Sequence, residues 1–135
     1  MQYRIIIAGG RDFTDYELLR KESLRAVRET FGKVNKEDVW IISGRARGAD
    51  SLGERFAKEF DLNLKYFPAD WDKYGKGAGF RRNEQMADFA KGKDENDPTS
   101  VKNLVIAFWD GQSRGTHHMI EIAKNKKMNI RVVRY

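Results

Sequence analysis

Five short apolar runs divide this chain, and amphipathic helical patterns fill the gaps between them. The runs cover residues 3–8, 39–42, 64–67, 104–108 and 130–133. Three of them, IIIA, VWII and LVIAF, are apolar at consecutive positions rather than alternate ones. A strand reads that way when both of its faces are covered, as in a parallel sheet sandwiched between helices. The runs at 64–67 and 130–133 carry Lys65 and Arg131 and read as edge strands. Between the runs, residues 15–31 place Tyr16, Leu19, Val27 and Phe31 on one helical stripe, with Gly32 as a stop. Residues 50–60 repeat apolar side chains at i, i+3 and i+4, with Asp50 as the expected N-cap. Asn83, Met86, Ala87 and Ala90 suggest a third helix, and Met119, Ile120 and Ala123 a fourth.

The resulting order, βαβαβαβαβ, predicts an α/β, Rossmann-like, doubly wound parallel sheet with helices on both faces. Placing the three wholly apolar strands at the centre gives strand order 3-2-1-4-5. The chain reverses direction between strands 1 and 4, and ligands of such sheets sit outside the strand C-termini at that switch point. No linker or repeat divides the 135 residues, which suit one domain over 1–135.

The loops leaving the strand C-termini read AGGRDF, SGRARGAD, PADWDKYGKGAGFRRN and WDGQSRGT. They hold nine of the twelve glycines, together with Arg11, Arg45, Arg47, Arg81, Arg82 and Arg114, whereas the opposite loops hold two glycines and no arginine. Glycine lets backbone approach a phosphate closely, successive N–H groups ahead of a helix form an anion site, and arginine adds bidentate donors. The expected ligand-binding residues are therefore Gly9, Gly10, Arg11, Ser43, Gly44, Arg45, Arg47, Gly48 and Asp50, with Trp71, Arg81, Arg82 and Asn83 from the third loop. Trp109, Gly111, Ser113, Arg114, Gly115 and Thr116 complete the set. Trp71 and Trp109 offer faces on which a purine can stack.

At these loops the chain resembles a known family. SGRARGAD is similar to the SGGARGxD loop of the DprA/Smf and LOG proteins of the SLOG superfamily. GGRDF, SGRARGAD, FPADWDKYGKGAGFRRNEQM and AFWDGQSRGT, in this order, resemble the YspA-type, cpYpsA-related SLOG family across residues 3–134. The resemblance implies a Rossmann-like domain that binds a nucleotide or a nucleotide-derived, ADP-ribose-like ligand. A pocket that holds such a ligand through backbone amides and arginines suits a sensor or sequestering role, with no cofactor required. Arg45 stands where the related loop has its second glycine. The phosphoribohydrolase branch carries GGxGTxxE; here Gly115 and Thr116 match, but His118 and Met119 occupy the acidic positions. An N-glycosidic hydrolase is thus the alternative reading, with Asp12, Glu84 and Glu121 as its candidate catalytic acids, since such chemistry needs a placed carboxylate.

Charge and composition constrain the rest. The chain carries +6 at neutral pH with a pI near 9.6, which favours an anionic partner. Single-stranded DNA, by analogy with the DprA branch, is a second and weaker alternative to a small-molecule nucleotide. Cysteine is absent, which excludes disulfides, thiolate metal sites and cysteine nucleophiles. His117 and His118 are adjacent and point to different helix faces, so no metal is expected. No apolar run approaches membrane-spanning length and the first residues lack the pattern of an export signal, so a cytoplasmic location and no membrane partner are expected. An exposed edge strand or helical face leaves a homodimer open. The polar stretch GKDENDPTS is expected as an exposed loop opposite the site.

Overall fold

The computed structural model describes residues 1–92 and 100–135. The GKDENDPTS loop lies almost entirely outside the described residues. Five strands form one wholly parallel sheet in the order β3-β2-β1-β4-β5, as the hydrophobic pattern predicts. They are β1 (Gln2–Gly9), β2 (Val39–Ser43), β3 (Asn63–Tyr66), β4 (Val101–Trp109) and β5 (Ile130–Arg134). The helices are α1 (Tyr16–Phe31), α2 (Ala49–Glu59), α3 (Trp71–Tyr74), α4 (Ala78–Lys91) and α5 (Arg114–Asn125). Among the described residues no helix is long and apolar enough to cross a membrane.

Successive side chains of a strand point to opposite faces, and β1 shows why its run is unbroken. Ile5 and Ile7 are buried with Leu19, Phe56 and Phe108 in the layer beneath α1 and α2. Ile6 and Ala8 are buried with Met86, Met119 and Ala123 in the layer beneath α4 and α5. With apolar cover on both sides, a polar residue at Ile5, Ile6 or Ile7 would be stranded without water or a partner.

Helix ends follow local chemistry. Asp15 caps α1 by accepting from the backbone N–H of Leu18 at 3.0 Å, and Gly32 ends the helix at φ 76°. Ser113 caps α5 by accepting from the backbone N–H of Thr116. Two details depart from the sequence reading. The N-cap of α2 is Gly48, not Asp50; Asp50 lies inside the first turn, and its carboxylate reaches back to the backbone N–H of Ala46 at 3.1 Å. The long third loop also contains the one-turn helix α3, capped by Asp70, and a 3-10 turn over Gly75–Gly77 that leads directly into α4.

Candidate functional site

The C-terminal ends of β1 and β2 carry their loops into contact above the sheet. Gly48 adopts φ 79°, and a Cβ there would sit 2.6 and 2.7 Å from backbone atoms of Arg11. Only glycine combines that left-handed backbone with so close an approach. The crossing is fixed by the N–H of Ala49, which donates to the carbonyl of Gly10 at 3.2 Å. The GGR and GRARG loops are thereby held as one unit at the N-terminus of α2, whose free N–H groups and dipole favour an anion.

Two adjoining clefts open around this unit. One, of about 340 Å³, is lined by Gly9, Gly10, Arg11 and Asp12 from the first loop and by Asp50 from α2. Asn83 from α4 and Ser113, Gly115 and Thr116 from the fourth loop close it, over a floor that includes Met86 and Met119. The second, of about 490 Å³, is lined by Gly44, Arg45, Pro68, Ala69 and the half-exposed indole of Trp71. Arg11, Ala46, Arg47 and Arg82 line both and form the wall they share.

Arg82 is the half-buried arginine of that wall, where Arg11 and Arg47 are exposed. It donates through Nε to Oδ1 of Asn83 at 3.1 Å and through Nη1 to the carbonyl of Gly44. Burial lowers its pKa, opposed by the charge of Asp50. Asp50 is the buried carboxylate of the first cleft, and burial pushes its pKa up to about 6 against the hydrogen bond from Ala46 and the charges of Arg82 and Arg11. Asp12, at the mouth, accepts from the phenol of Tyr135 at 3.2 Å; burial and this bond raise the Tyr135 pKa to about 12.

The loop from β2 has its own support. Ser43 is buried, donates to Oε2 of Glu54 at 2.6 Å, and accepts from the N–H of Arg45 at 3.1 Å. Arg45 stands at φ 62°, the left-handed region. Its side chain is anchored by Oε1 of Glu54 at 3.1 Å and lies over the ring of Tyr66 at 4.4 Å. The fourth loop is pinned by Asp110, whose Oδ1 accepts from the N–H groups of Gln112 and Ser113 at 2.8 Å each; these bonds hold its pKa below the usual carboxylate range.

Several residues singled out in the sequence lie elsewhere. The indole N–H of Trp109 donates to the carbonyl of Ser113 at 3.1 Å, which turns the ring away from both clefts. Trp109, Gly111, Arg114 and Glu121 line a separate groove with Phe80, His117 and His118. Arg81 points outward and packs over the ring of Tyr74 at 4.3 Å. The three candidate acids do not converge: only Asp12 reaches a cleft. Glu84 faces Lys126 at 3.6 Å, and Glu121 pairs with His117 at 3.5 Å, because both sit on outward faces of their helices. Among the described residues no three histidines or carboxylates come together as a metal site.

Glu54, Asp110 and Tyr135 had carried no sequence signal. Their roles depend on partners that are distant in the chain, or in the case of Asp110 on the backbone of its own turn.

The family described as YspA, cpYpsA-related SLOG matches over residues 3–74, which takes in β1 to α3 and the crossing of the first two loops. This chain belongs to the YspA, cpYpsA-related SLOG family. It is also 30% identical over 141 residues to the Gene 61 protein of Mycobacterium phage D29, an alignment covering 98% of this chain and 95% of that protein. No solved structure matches. SLOG membership points to a nucleotide-related ligand and goes no further. The matched segment supplies Arg11, Arg47, Asp50 and Trp71 to the clefts; Arg82, Asn83 and the fourth loop lie beyond it. In this SLOG chain the loop position of Arg45 keeps a glycine-like backbone while carrying an arginine.

Proposed function

We propose that this protein binds a nucleotide-derived small molecule of the ADP-ribose type across its two clefts, as a sensor or sequestering module. The observation that carries this reading is the arginine wall common to both clefts. A diphosphate laid along Arg11, Arg47 and Arg82 would meet permanently charged donors beside the N-terminus of α2. To one side, Trp71 supplies a flat apolar face suited to a purine. To the other, Asp12, Asn83, Ser113 and Thr116 supply hydroxyl-binding groups suited to a sugar. The glycosidic hydrolase alternative finds one of its three acids in the clefts, so binding without turnover is the better supported reading.

The test is calorimetry with ADP-ribose, AMP and inorganic pyrophosphate. ADP-ribose should bind most tightly and release no free base or ribose. Arg82→Ala should weaken all three by at least about tenfold, the scale of a lost charge-assisted hydrogen bond. Trp71→Ala should weaken the two nucleotides by about tenfold and leave pyrophosphate unchanged, since stacking on a base contributes roughly 1–3 kcal/mol. Absence of any heat from ADP-ribose and AMP at millimolar concentration would refute the reading, and steady release of base would favour the hydrolase.

A further inference from the structure

We propose that Asp50 makes ligand binding proton-coupled: the cleft takes up one proton at this carboxylate when a diphosphate settles beside Arg11 and Arg82. The proposal rests on the nucleotide reading above and adds to it a regulatory property of the same site.

The geometry is unusual for an anion site. Asp50 is 8% exposed and lines the smaller cleft within the first turn of α2, the place where a phosphate gains most from the helix dipole. Its Oδ2 accepts one hydrogen bond, from the N–H of Ala46, and Oδ1 accepts none among the described residues. A buried carboxylate with a free oxygen in a phosphate cleft must either be neutralised or repel the ligand.

The surrounding charges decide which. Arg82 from α4 and Arg11 from the first loop hold Asp50 towards its ionised form, and Glu54, one turn on along α2, opposes them. Arg47 and Asp12 complete the charged groups lining this cleft, while α5 and its N-cap present the uncharged Thr116 and Ser113. A bound diphosphate would engage the same arginines, bring its own negative charge and expel water. Each change favours the protonated acid. The proton comes from solvent and stays on the carboxyl group, whose O–H then donates a hydrogen bond to a phosphate oxygen. Free Asp50 already titrates at about 6, so the uptake falls in the neutral range.

ADP-ribose is the suitable probe, because its diphosphate is a diester and lacks the second ionisation, at about 6, of a phosphate monoester. Calorimetry at neutral pH in two buffers of different ionisation enthalpy should show uptake approaching one proton per ligand. Affinity should fall by up to about tenfold per pH unit above the free titration midpoint. Asp50→Asn keeps an acceptor for Ala46 and should bind ADP-ribose with little pH dependence, up to about a hundredfold tighter than wild type near pH 8.

Either of two binding results would overturn the proposal while leaving the nucleotide reading intact. One is proton release, or none exchanged, when ADP-ribose binds. The other is weaker binding by Asp50→Asn than by wild type at every pH, the mark of a carboxylate that accepts a ligand hydroxyl. Carboxyl-carbon NMR of the ligand-free protein gives an independent check, and a midpoint for Asp50 at the ordinary aspartate value would also overturn it. No binding of ADP-ribose at any pH removes the nucleotide reading first.

Discussion

Arg82 donates to the carbonyl oxygen of Gly44, and this contact ties α4 to the β2–α2 loop across 38 residues of sequence. A Cβ on Gly44 would stand 2.9 Å from both Cδ and Cζ of Arg82, closer than carbon atoms pack. Because the neighbour is a side chain and not backbone, Gly44→Ala should displace Arg82 rather than unfold the protein. We expect a melting temperature within a few degrees of wild type and an affinity for ADP-ribose reduced about tenfold. Adding Gly44→Ala to Arg82→Ala should cost no further affinity, a non-additivity that a double-mutant cycle reads directly.

Gly48→Ala should behave differently. Its Cβ would meet Arg11 backbone atoms at 2.6 and 2.7 Å, and its φ of 79° is strained for any side chain. Neither loop can yield without breaking the bond from Ala49 to Gly10. Denaturant titration should show a loss of at least about 2 kcal/mol, from backbone strain of roughly 1–2 kcal/mol plus the overlap. A loss well under about 1 kcal/mol would mean that the two loops separate easily.

Arg45→Gly sets opposing effects against each other. The substitution relieves a left-handed conformation costing about 1–2 kcal/mol for a side chain. It removes a half-exposed ion pair to Glu54 and a ring contact with Tyr66, each contributing about 1 kcal/mol or less, and adds glycine's unfolded-state entropy. The sum is close to zero, so stability should change by less than about 1 kcal/mol in denaturant titration. If Arg45 touches ligand, binding should weaken while the fold stays.

Asp50 also predicts a pH dependence of stability. Its folded pKa of about 6 lies above the unfolded value of 3.8, so the folded state binds more protons between those values. The folded state is therefore favoured at low pH, and the advantage is lost as pH rises through about 6. The shift corresponds to about 3 kcal/mol, and Asp50→Asn should recover a good part of it at neutral pH. Glu29 and Glu59 are shifted down by hydrogen bonds, chiefly from Arg25 and Tyr16 respectively, and contribute in the opposite sense. The difference between wild type and Asp50→Asn across pH, not the wild-type profile alone, isolates the effect. An unchanged difference between pH 4 and pH 7 would contradict it.

How much of this was legible in the sequence differs from element to element. The strands at 39–42 and 104–108 announced themselves because a two-sided buried strand must be apolar at every position, whatever its partners. The four longer helices showed the period that a half-buried helix needs. The one-turn helix α3 did not, since four residues hold no repeat. Asp50 has the residue type of an N-cap, and only the backbone at Gly48 shows the helix starting two residues earlier.

The sequence by itself determined the sheet order and the rim on which glycines and arginines collect, because burial pattern and loop position are properties of local order along the chain. The tertiary structure alone decided which of those rim residues meet. Side-chain direction depends on helix phase and on neighbours remote in sequence: Tyr135 against Asp12, Arg82 against Gly44, Glu54 beneath Ser43. Trp109, Arg114 and Glu121 share the rim yet face a different groove, since an indole N–H committed to Ser113 and the turn of α5 carry them away from the arginine wall.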